Sequence, residues 1–595
     1  MTKRNRVSRV AIVAFLAGWP LLSHAAKYGD QLNPTGDPIG GGPGYRDVKS
    51  ERSANFVVSK RAELINAIRK AQPSAVIYIR DDAVIDMTGA DDQTIPGGVT
   101  LTSGRGRGAS QGALVYSNSL TDEFDWIPLF KTGGKGVRIT GLRLRGAFAE
   151  IGDHFYEQIK IANGIRADHE DLEVDNCELW AWNKWAVDLA VAGGAHVHHN
   201  YIHHTRRWGY GYGVWVRGGG KALIEANLFN ACRHHIGSGS QADSSYEARY
   251  NICLDQDVQP SFDRHGNATK AGAATLIHHN EFRNPDEPAI LLRGNPLEEA
   301  RFHNNWFFHP GPESALSIRS TKNTEVYDNH YGPVPATWHP TAKGTATPAT
   351  GKAPLTVSFD ASESKDNEGG RIVRYRWNFA DSPDAIGPEA FDKTATYTFR
   401  QPGRYNVALT VSNERGIPSS TLIPVLVNPQ AGGCVLSAWV KDSYYGPLKG
   451  YVRAQVLLDS QVIWEDDVEG DEGGWQHLVL DLGRWVEDKK SAELVFRLRA
   501  DKAVTEPGAE FCECYYYVDD VHLFGGSVAV GDFESDGGWT YHEQSWPWSY
   551  RKGRWSGESR SGKYGCVIGF GYNRTVKAGG YCEIKQTVSF DERHP

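Results

Sequence analysis

One short pattern recurs along the first half of the chain: an apolar residue, two variable residues, a turn residue, one variable residue and a second apolar residue. It reads Val197-His-His-Asn200-Tyr-Ile202, Ile224-Glu-Ala-Asn227-Leu-Phe229, Ala248-Arg-Tyr-Asn251-Ile-Cys253, Ile277-His-His-Asn280-Glu-Phe282, Phe302-His-Asn-Asn305-Trp-Phe307 and Val326-Tyr-Asp-Asn329-His-Tyr331. Leu142 and Cys177 hold the Asn position in two earlier copies, and the intervals are 35, 23, 27, 24, 29, 25 and 24 residues. A unit of about 25 residues cannot bury its own apolar face and must stack on its neighbours, whereas a propeller blade needs about 40–45. The pattern therefore predicts a right-handed parallel β-helix. Its Asn residues sit at a tight turn, tolerate left-handed backbone there and bridge from coil to coil.

The chain has 595 residues, enough for several domains, and its 65 Gly, 28 Pro and 11% aromatics describe a turn-rich, all-β protein. Lys3, Arg4, Arg6 and Arg9 precede an apolar run from Val10 to Leu22, followed by Ser23-His24-Ala25. This is the pattern of a signal peptide over residues 1–25, which implies a secreted or periplasmic protein with no membrane insertion. Removal of those four basic residues takes the formal net charge from −8 to −12, an argument against nucleic acid as a partner. The eight cysteines divide into Cys177, Cys232 and Cys253, then Cys434, Cys512, Cys514, Cys566 and Cys582. At most two disulfides are expected, both in the second group, and the spacing does not suit a zinc ribbon.

Ahead of the coils, Leu64, Ile65 and Ile68 fall at helical spacing within Lys60–Lys70, as in a short helix capping an open end of the stack. That helix, the strand Ala75–Ile79 and Val99-Thr-Leu-Thr-Ser-Gly-Arg-Gly-Arg-Gly108 resemble the entry of pectate-lyase-like β-helix polysaccharide lyases. The resemblance implies a catalytic β-helix over residues 27–333. Residues 334–354, rich in Pro, Thr, Ala and Gly, suggest a linker. Leu355-Thr-Val-Ser-Phe-Asp-Ala-Ser362, Tyr375-Arg-Trp-Asn-Phe-Ala-Asp381 and Gly403-Arg-Tyr-Asn-Val-Ala-Leu-Thr-Val411 resemble a PKD domain, an Ig-like sandwich, over residues 355–429, which implies a spacer or surface-binding unit. Within 433–595, segments resembling the closing half of a carbohydrate-binding jelly roll precede those resembling its opening half, so one circularly permuted domain is expected. Trp539, Trp546, Trp548, Tyr550 and Trp555 are its candidate sugar-stacking residues.

In a parallel β-helix the strand before each Asn segment faces an open groove with alternate side chains. Aligning Trp185–Leu189, Gly213–Arg217, His234–Ser238, Ser261–His265, Ala289–Arg293 and Ala315–Arg319 turns Asp188, Trp215, Arg217, Ser238, Asp263, His265, Arg293 and Arg319 outward. Arg, His and Asp on one face suit an acidic polysaccharide. A guanidinium neutralises a uronate carboxylate, which acidifies the C5 proton for removal by a base, and elimination of the 4-linked group follows. In this reading His265 is the base, with His234 or His235 as the alternative. Asp263 holds or tunes the base, Arg217 and Arg293 are catalytic cations, and Tyr212 is the proton donor. Trp215, Arg319, Arg206, Arg207, Tyr210 and Asp188 bind substrate, joined by Trp546 and Trp548 in the last domain.

The Asp263-x-His265 spacing also resembles that of β-helix mannuronan C5-epimerases. A polygalacturonase-like hydrolase would need paired groove carboxylates, for which Asp255, Asp257 and Asp263 are the candidates. The third reading is a noncatalytic glycan-binding protein. The chemistry requires no cofactor, Ca2+ is the ion to consider at Asp188 or in the second module, and a monomer is expected. Adjacent pairs such as His198-His199, His203-His204 and His278-His279 are poorly placed to chelate one ion together.

Overall fold

The computed structural model describes residue 29 and residues 33–591 apart from 122–124, 148–160, 191–192, 208, 268, 333–338, 381–386, 431–432, 446–449, 469–474, 504–512, 546–552, 556–563 and 571–575. The signal sequence, Cys512, Trp546, Trp548 and Tyr550 lie outside the described residues, as does the side chain of Trp555. Among the described residues, no helix is long and apolar enough to cross a membrane.

Residues 76–331 wind into about nine turns of a parallel β-helix with three faces. Among the described residues the first face has eleven strands, from Phe56–Val58 to Thr324–Tyr327. The second has ten described strands, from Val84–Asp86 to His330–Tyr331, and the third nine, from Gln93–Ile95 to Leu316–Ile318. Each Asn segment joins the first face to the second, so in one coil Ala195–His198 leads through Asn200 to Tyr201–His203 and then to the third-face strand Tyr212–Val216. Apolar columns fill the interior: on the third face Val187, Val214, Ile236, Phe262 and Ile290 lie in register with at most 1% exposure. The predicted cap is the helix Arg61–Lys70, whose Leu64, Ala67 and Ile68 are buried against the first coils.

The Asn residues form a continuous hydrogen-bonded ladder. Asn200 Nδ2 donates to Asn227 Oδ1 at 3.0 Å, and the same bond runs from Asn227 to Asn251 (3.0 Å), Asn251 to Asn280 (2.9 Å), Asn280 to Asn305 (3.1 Å) and Asn305 to Asn329 (3.0 Å). Each Oδ1 also accepts the backbone N–H of the preceding Asn. Left-handed backbone, however, falls one residue earlier than expected, at His199, Ala226, Tyr250, His279, Asn304 and Asp328, with φ between 49° and 56°. That residue turns the corner. The Asn after it is thereby free to point inward and pair.

Residues 345–352, expected within a linker, are instead two strands of the Ig-like sandwich. Thr345–Thr347 pairs with Leu355–Asp360, and Thr350–Lys352 pairs with Pro418–Asn428. Trp377 is the buried centre of this sandwich. Its neighbour is the second face of the helix: Ile417 is buried among Ile39, Leu228, Ile252, Leu254 and Phe308. Arg143 pairs with Glu389 at 2.8 Å, and Arg415 with Glu281 at 2.7 Å. Ile417 alone removes apolar surface worth roughly 1.5–3 kcal/mol from water, so the module is docked rather than held at a distance.

In the last domain the two halves interleave. Gly565–Phe570 pairs with Glu513–Phe524, and Tyr581–Phe590 pairs with Ser491–Ala500, around one apolar core. Trp539 is half-buried and packs against that core, beside Phe533 and Phe496. The seven described cysteines are buried free thiols, and no disulfide occurs among them.

Candidate functional site

The outward column of the third face runs Asp188, Trp215, Gly237, Asp263, Leu291 and Ser317. Asp263 is its chemical centre. Fully buried, it accepts a two-pronged contact from Arg293 on the next coil, Nε to Oδ1 at 2.8 Å and Nη2 to Oδ2 at 2.6 Å. His265 Nε2 lies 3.1 Å from the same Oδ2, and His234 Nε2 lies 3.4 Å from it. Burial alone would raise the Asp263 carboxyl, but hydrogen bonds from His265 and Arg293 outweigh it and hold the group well below the usual carboxylate range.

Tyr212 comes from two coils earlier. Its Oη is 3.4 Å from His265 Nε2, and Arg233 Nη1 donates to the same oxygen at 3.4 Å. Burial raises the pKa of the phenol, only partly offset by Arg233, so Tyr212 keeps its proton. The His265 ring, about one-third exposed, stands edge-on to Trp215 at 5.2 Å, and Trp215 packs on Tyr212 at 4.4 Å. Between these coils lies Gly237, over which both aromatic rings close. A Cβ there would stand 2.3 Å from Tyr212 Cδ1 and 2.7 Å from Trp215 Cε3. An isolated Gly in a strand pattern is the one sequence signal for such a close approach.

A second pair repeats the device. Arg217 Nε and Nη2 meet Asp188 Oδ1 and Oδ2 at 2.9 and 2.7 Å. The guanidinium lies 4.8 Å from the centre of the Trp126 ring and 5.4 Å from that of Trp185. The buried Lys184 ammonium is surrounded by Trp126, Trp185 and Tyr210 at 5.1, 4.5 and 4.5 Å. Sequence reading missed Lys184, Trp126, Trp185 and Arg233, because alternation along one strand does not report what neighbouring loops bring over it.

The structure thus gathers His265, Asp263, Arg293, Tyr212 and Trp215 into one cluster, with Asp188 and Arg217 paired along the same face. Arg319 is exposed one coil beyond Arg293. Other expectations need correction. His235 points into the coil, unexposed and stacked on Phe229 at 5.4 Å, and burial pushes its pKa down to about 3. Both His235 and the next residue, Ile236, face inward because strict alternation fails at the corner where the strand begins. His234 lies under Tyr212, its Nδ1 donating to the Pro260 carbonyl, and burial likewise lowers it to about 3, so the ring is neutral. Ser238 lies in the inward register of Val216, Arg264 and Leu292. Both Arg forks meet protein carboxylates through Nε and Nη2, not an open groove. Arg206 bonds the carbonyls of Ala231 and Gln256, and Arg207 lies over Tyr210 at 5.0 Å. Both Asp188 oxygens are engaged by Arg217, which neutralises the carboxylate.

Asp257 is 5% exposed and bonded to Ser261 and Asn284; burial raises its carboxyl to about 7. Asp255 faces His339 at 3.3 Å. Neither joins Asp263 in the groove. A cavity of about 540 Å3 lies between the second face and the Ig-like sandwich, lined by Arg105, Glu178, His203, Arg374 and Arg376 among others. It holds none of the acid–base cluster, so the candidate site is the open groove.

Residues 338–425 match the PKD domain family, which begins earlier than the sequence reading placed it. Over 75 residues the chain is 36% identical to the dyslexia-associated protein KIAA0319 of Homo sapiens; the match covers 12% of this chain and 7% of that protein's length. Among solved structures, an alginate lyase from Paenibacillus sp. str. FPU-7 aligns with a TM-score of 0.32 at 11% identity, over 47% of this chain and 95% of its own. The mannuronan C-5 epimerase AlgE6 A-module of Azotobacter vinelandii aligns with a TM-score of 0.28 at 10% identity, over 51% and 99%.

Proposed function

We propose that this protein is an exported lyase that cleaves a uronate-containing polysaccharide by β-elimination in the groove of the third face. The observation that carries this reading is the Tyr212–His265 contact at 3.4 Å beside the buried Asp263. Asp263 accepts at His265 Nε2, so in the neutral ring Nε2 carries the hydrogen and Nδ1 the lone pair. Nδ1 removes the C5 proton, the freed electron pair forms the C4–C5 double bond, and the C4–O bond breaks. Tyr212 supplies the proton to the departing oxygen. The imidazolium, stabilised by Asp263, then loses its Nδ1 proton to solvent and the phenolate takes one from solvent, which restores both groups. Arg293 Nη1 and Arg319 are the cations this reading assigns to the substrate carboxylate.

An acid and a base on nearby coils of one face would approach a bound sugar ring from the same side, which favours elimination. Epimerisation requires them on opposite sides. Hydrolysis would require a protonated groove carboxyl, and Asp263 is held ionised. The test is incubation with alginate, pectate, glycosaminoglycans and bacterial exopolysaccharides, followed at the ultraviolet band of unsaturated uronate. A rise in absorbance on one of them is expected. New reducing ends without absorbance would replace the reading with hydrolysis, a changed uronate composition without cleavage with epimerisation, and binding alone with a noncatalytic role.

A further inference from the structure

We propose that Glu173, His196 and His198, on the first face and away from the groove, form a transition-metal site suited to Zn2+ that fastens the N-terminal segment to the coils. His196 and His198 are two apart on the strand Ala195–His198, so both side chains leave the same face, and Glu173 is the direct cross-strand partner of His196. One ligand atom from each of the three residues lies within 4.8 Å of the others. Zinc bonds of about 2.0–2.2 Å place tetrahedral ligands roughly 3.3–3.5 Å apart, a contraction that small side-chain rotations supply.

A chain of hydrogen bonds holds these rings. Asn33 Nδ2 donates to the Asp37 carbonyl at 3.1 Å, which fixes Asn33 Oδ1 as an acceptor, and the Thr35 hydroxyl donates to that oxygen at 2.7 Å. Thr35 Oγ1 lies 2.9 Å from His199 Nε2, and His199 Nδ1 lies 2.7 Å from His198 Nδ1. That contact fixes the Nδ1 edge of His198 and turns its Nε2 toward Glu173 Oε1 at 3.2 Å, while the His196 ring stands 3.9 Å from that of His198. Around a metal ion held by the three residues, His199 with Thr35 would be the supporting hydrogen-bond chain.

The surroundings suit a divalent ion held by nitrogen and oxygen. Glu225 Oε1 lies 2.9 Å from His196 Nε2, while Arg138 approaches the other oxygen of Glu173 at 3.6 Å. Two imidazoles and a carboxylate favour zinc over calcium or magnesium, which prefer all-oxygen shells. Because His199 is bonded to Thr35, metal binding would tie residues 33–37 to the coil.

The test uses the full chain, stripped with chelator and titrated with ZnCl2 by calorimetry, with bound metal counted by elemental analysis. One Zn2+ per chain and a raised melting temperature are expected. Cobalt substitution should show the intense visible bands of a low-coordinate site. Glu173→Gln, which keeps size and fold, should weaken binding about 10–100-fold, as should His198→Ala, while His303→Ala on the same face should leave it unchanged. No stoichiometric zinc in the wild type, or equal binding by the wild type, Glu173→Gln and His198→Ala, would overturn the site and identify the contact as an imidazolium–carboxylate ion pair.

Discussion

Gly237 offers the sharpest test of how the groove is assembled. Its backbone is part of the strand His234–Ser238 and lies outside the left-handed region, so Gly237→Ala carries no dihedral penalty and its effect is steric. The new methyl would stand 2.3 and 2.6 Å from Tyr212 Cδ1 and Cε1 and 2.7 Å from Trp215 Cε3. Ordinary carbon contacts lie near 3.5–4.0 Å, so the rings must retreat by about 1 Å or more. Tyr212 is confined by His234 beneath it and by Arg233 at its hydroxyl, so the retreat changes the Oη to His265 distance. Overpacking of this kind costs about 1–3 kcal/mol of stability, and a misplacement near 1 Å at the reacting groups costs on the order of 10²-fold in turnover. The assay pairs initial rates at the unsaturated-uronate band with the thermal unfolding of the same sample. Wild-type turnover and wild-type stability together would refute the argument, since they would mean that the two rings do not close over this glycine.

His265→Ala should lower turnover by about 10²–10⁴-fold while polymer binding, measured by affinity electrophoresis, stays within a few-fold, because the ring acts on a proton rather than as an anchor. Asp263→Asn should destabilise the β-helix by roughly 2–3 kcal/mol at neutral pH, less than the about 3–5 of a fully buried pair because Arg293 is 28% exposed. The Asp263 carboxyl is depressed in the folded state, so its contribution is complete above the ordinary value near pH 4 and disappears as pH falls through the folded value. The stability gap between wild type and Asp263→Asn, read by denaturant melts, should therefore narrow below about pH 4. Asn251→Ala leaves the buried N–H and Nδ2 of Asn227 without their shared acceptor and should cost roughly 2–4 kcal/mol in the same melts, without moving the groove side chains.

The coil architecture was legible because it is written in period. Asn at intervals near 25 residues, with apolar residues on either side, admits few folds, and the interlocked halves of the last domain follow from strand order alone. The groove cluster was legible where alternation holds, at Trp215 and Asp263, and lost where it fails. At the corner before Ile236 two successive residues turn inward, which moved His235 from candidate base to core. The occupancy of the arginine forks was hidden for a different reason. Whether Arg293 faces substrate or Asp263 depends on a contact thirty residues back, between coils, and no local pattern encodes it. Docking of the PKD domain was equally silent, since Ile417 reads as an ordinary loop residue until its partners are assembled around it.

The Asn ladder also explains how such a molecule can change its chemistry without rebuilding itself. Successive rungs stay about 3 Å apart through side-chain bonds, yet the chain between them varies from 24 to 29 residues from Asn200 to Asn329. The longest of these excursions, from Asn251 to Asn280, carries Asp263 and His265, with its extra residues after the short strand Phe262–Arg264. The ladder acts as a fixed spine along one corner, while length accumulates at the edges of the opposite groove. Insertions there can reshape the substrate path coil by coil, and the register of every neighbouring coil remains pinned.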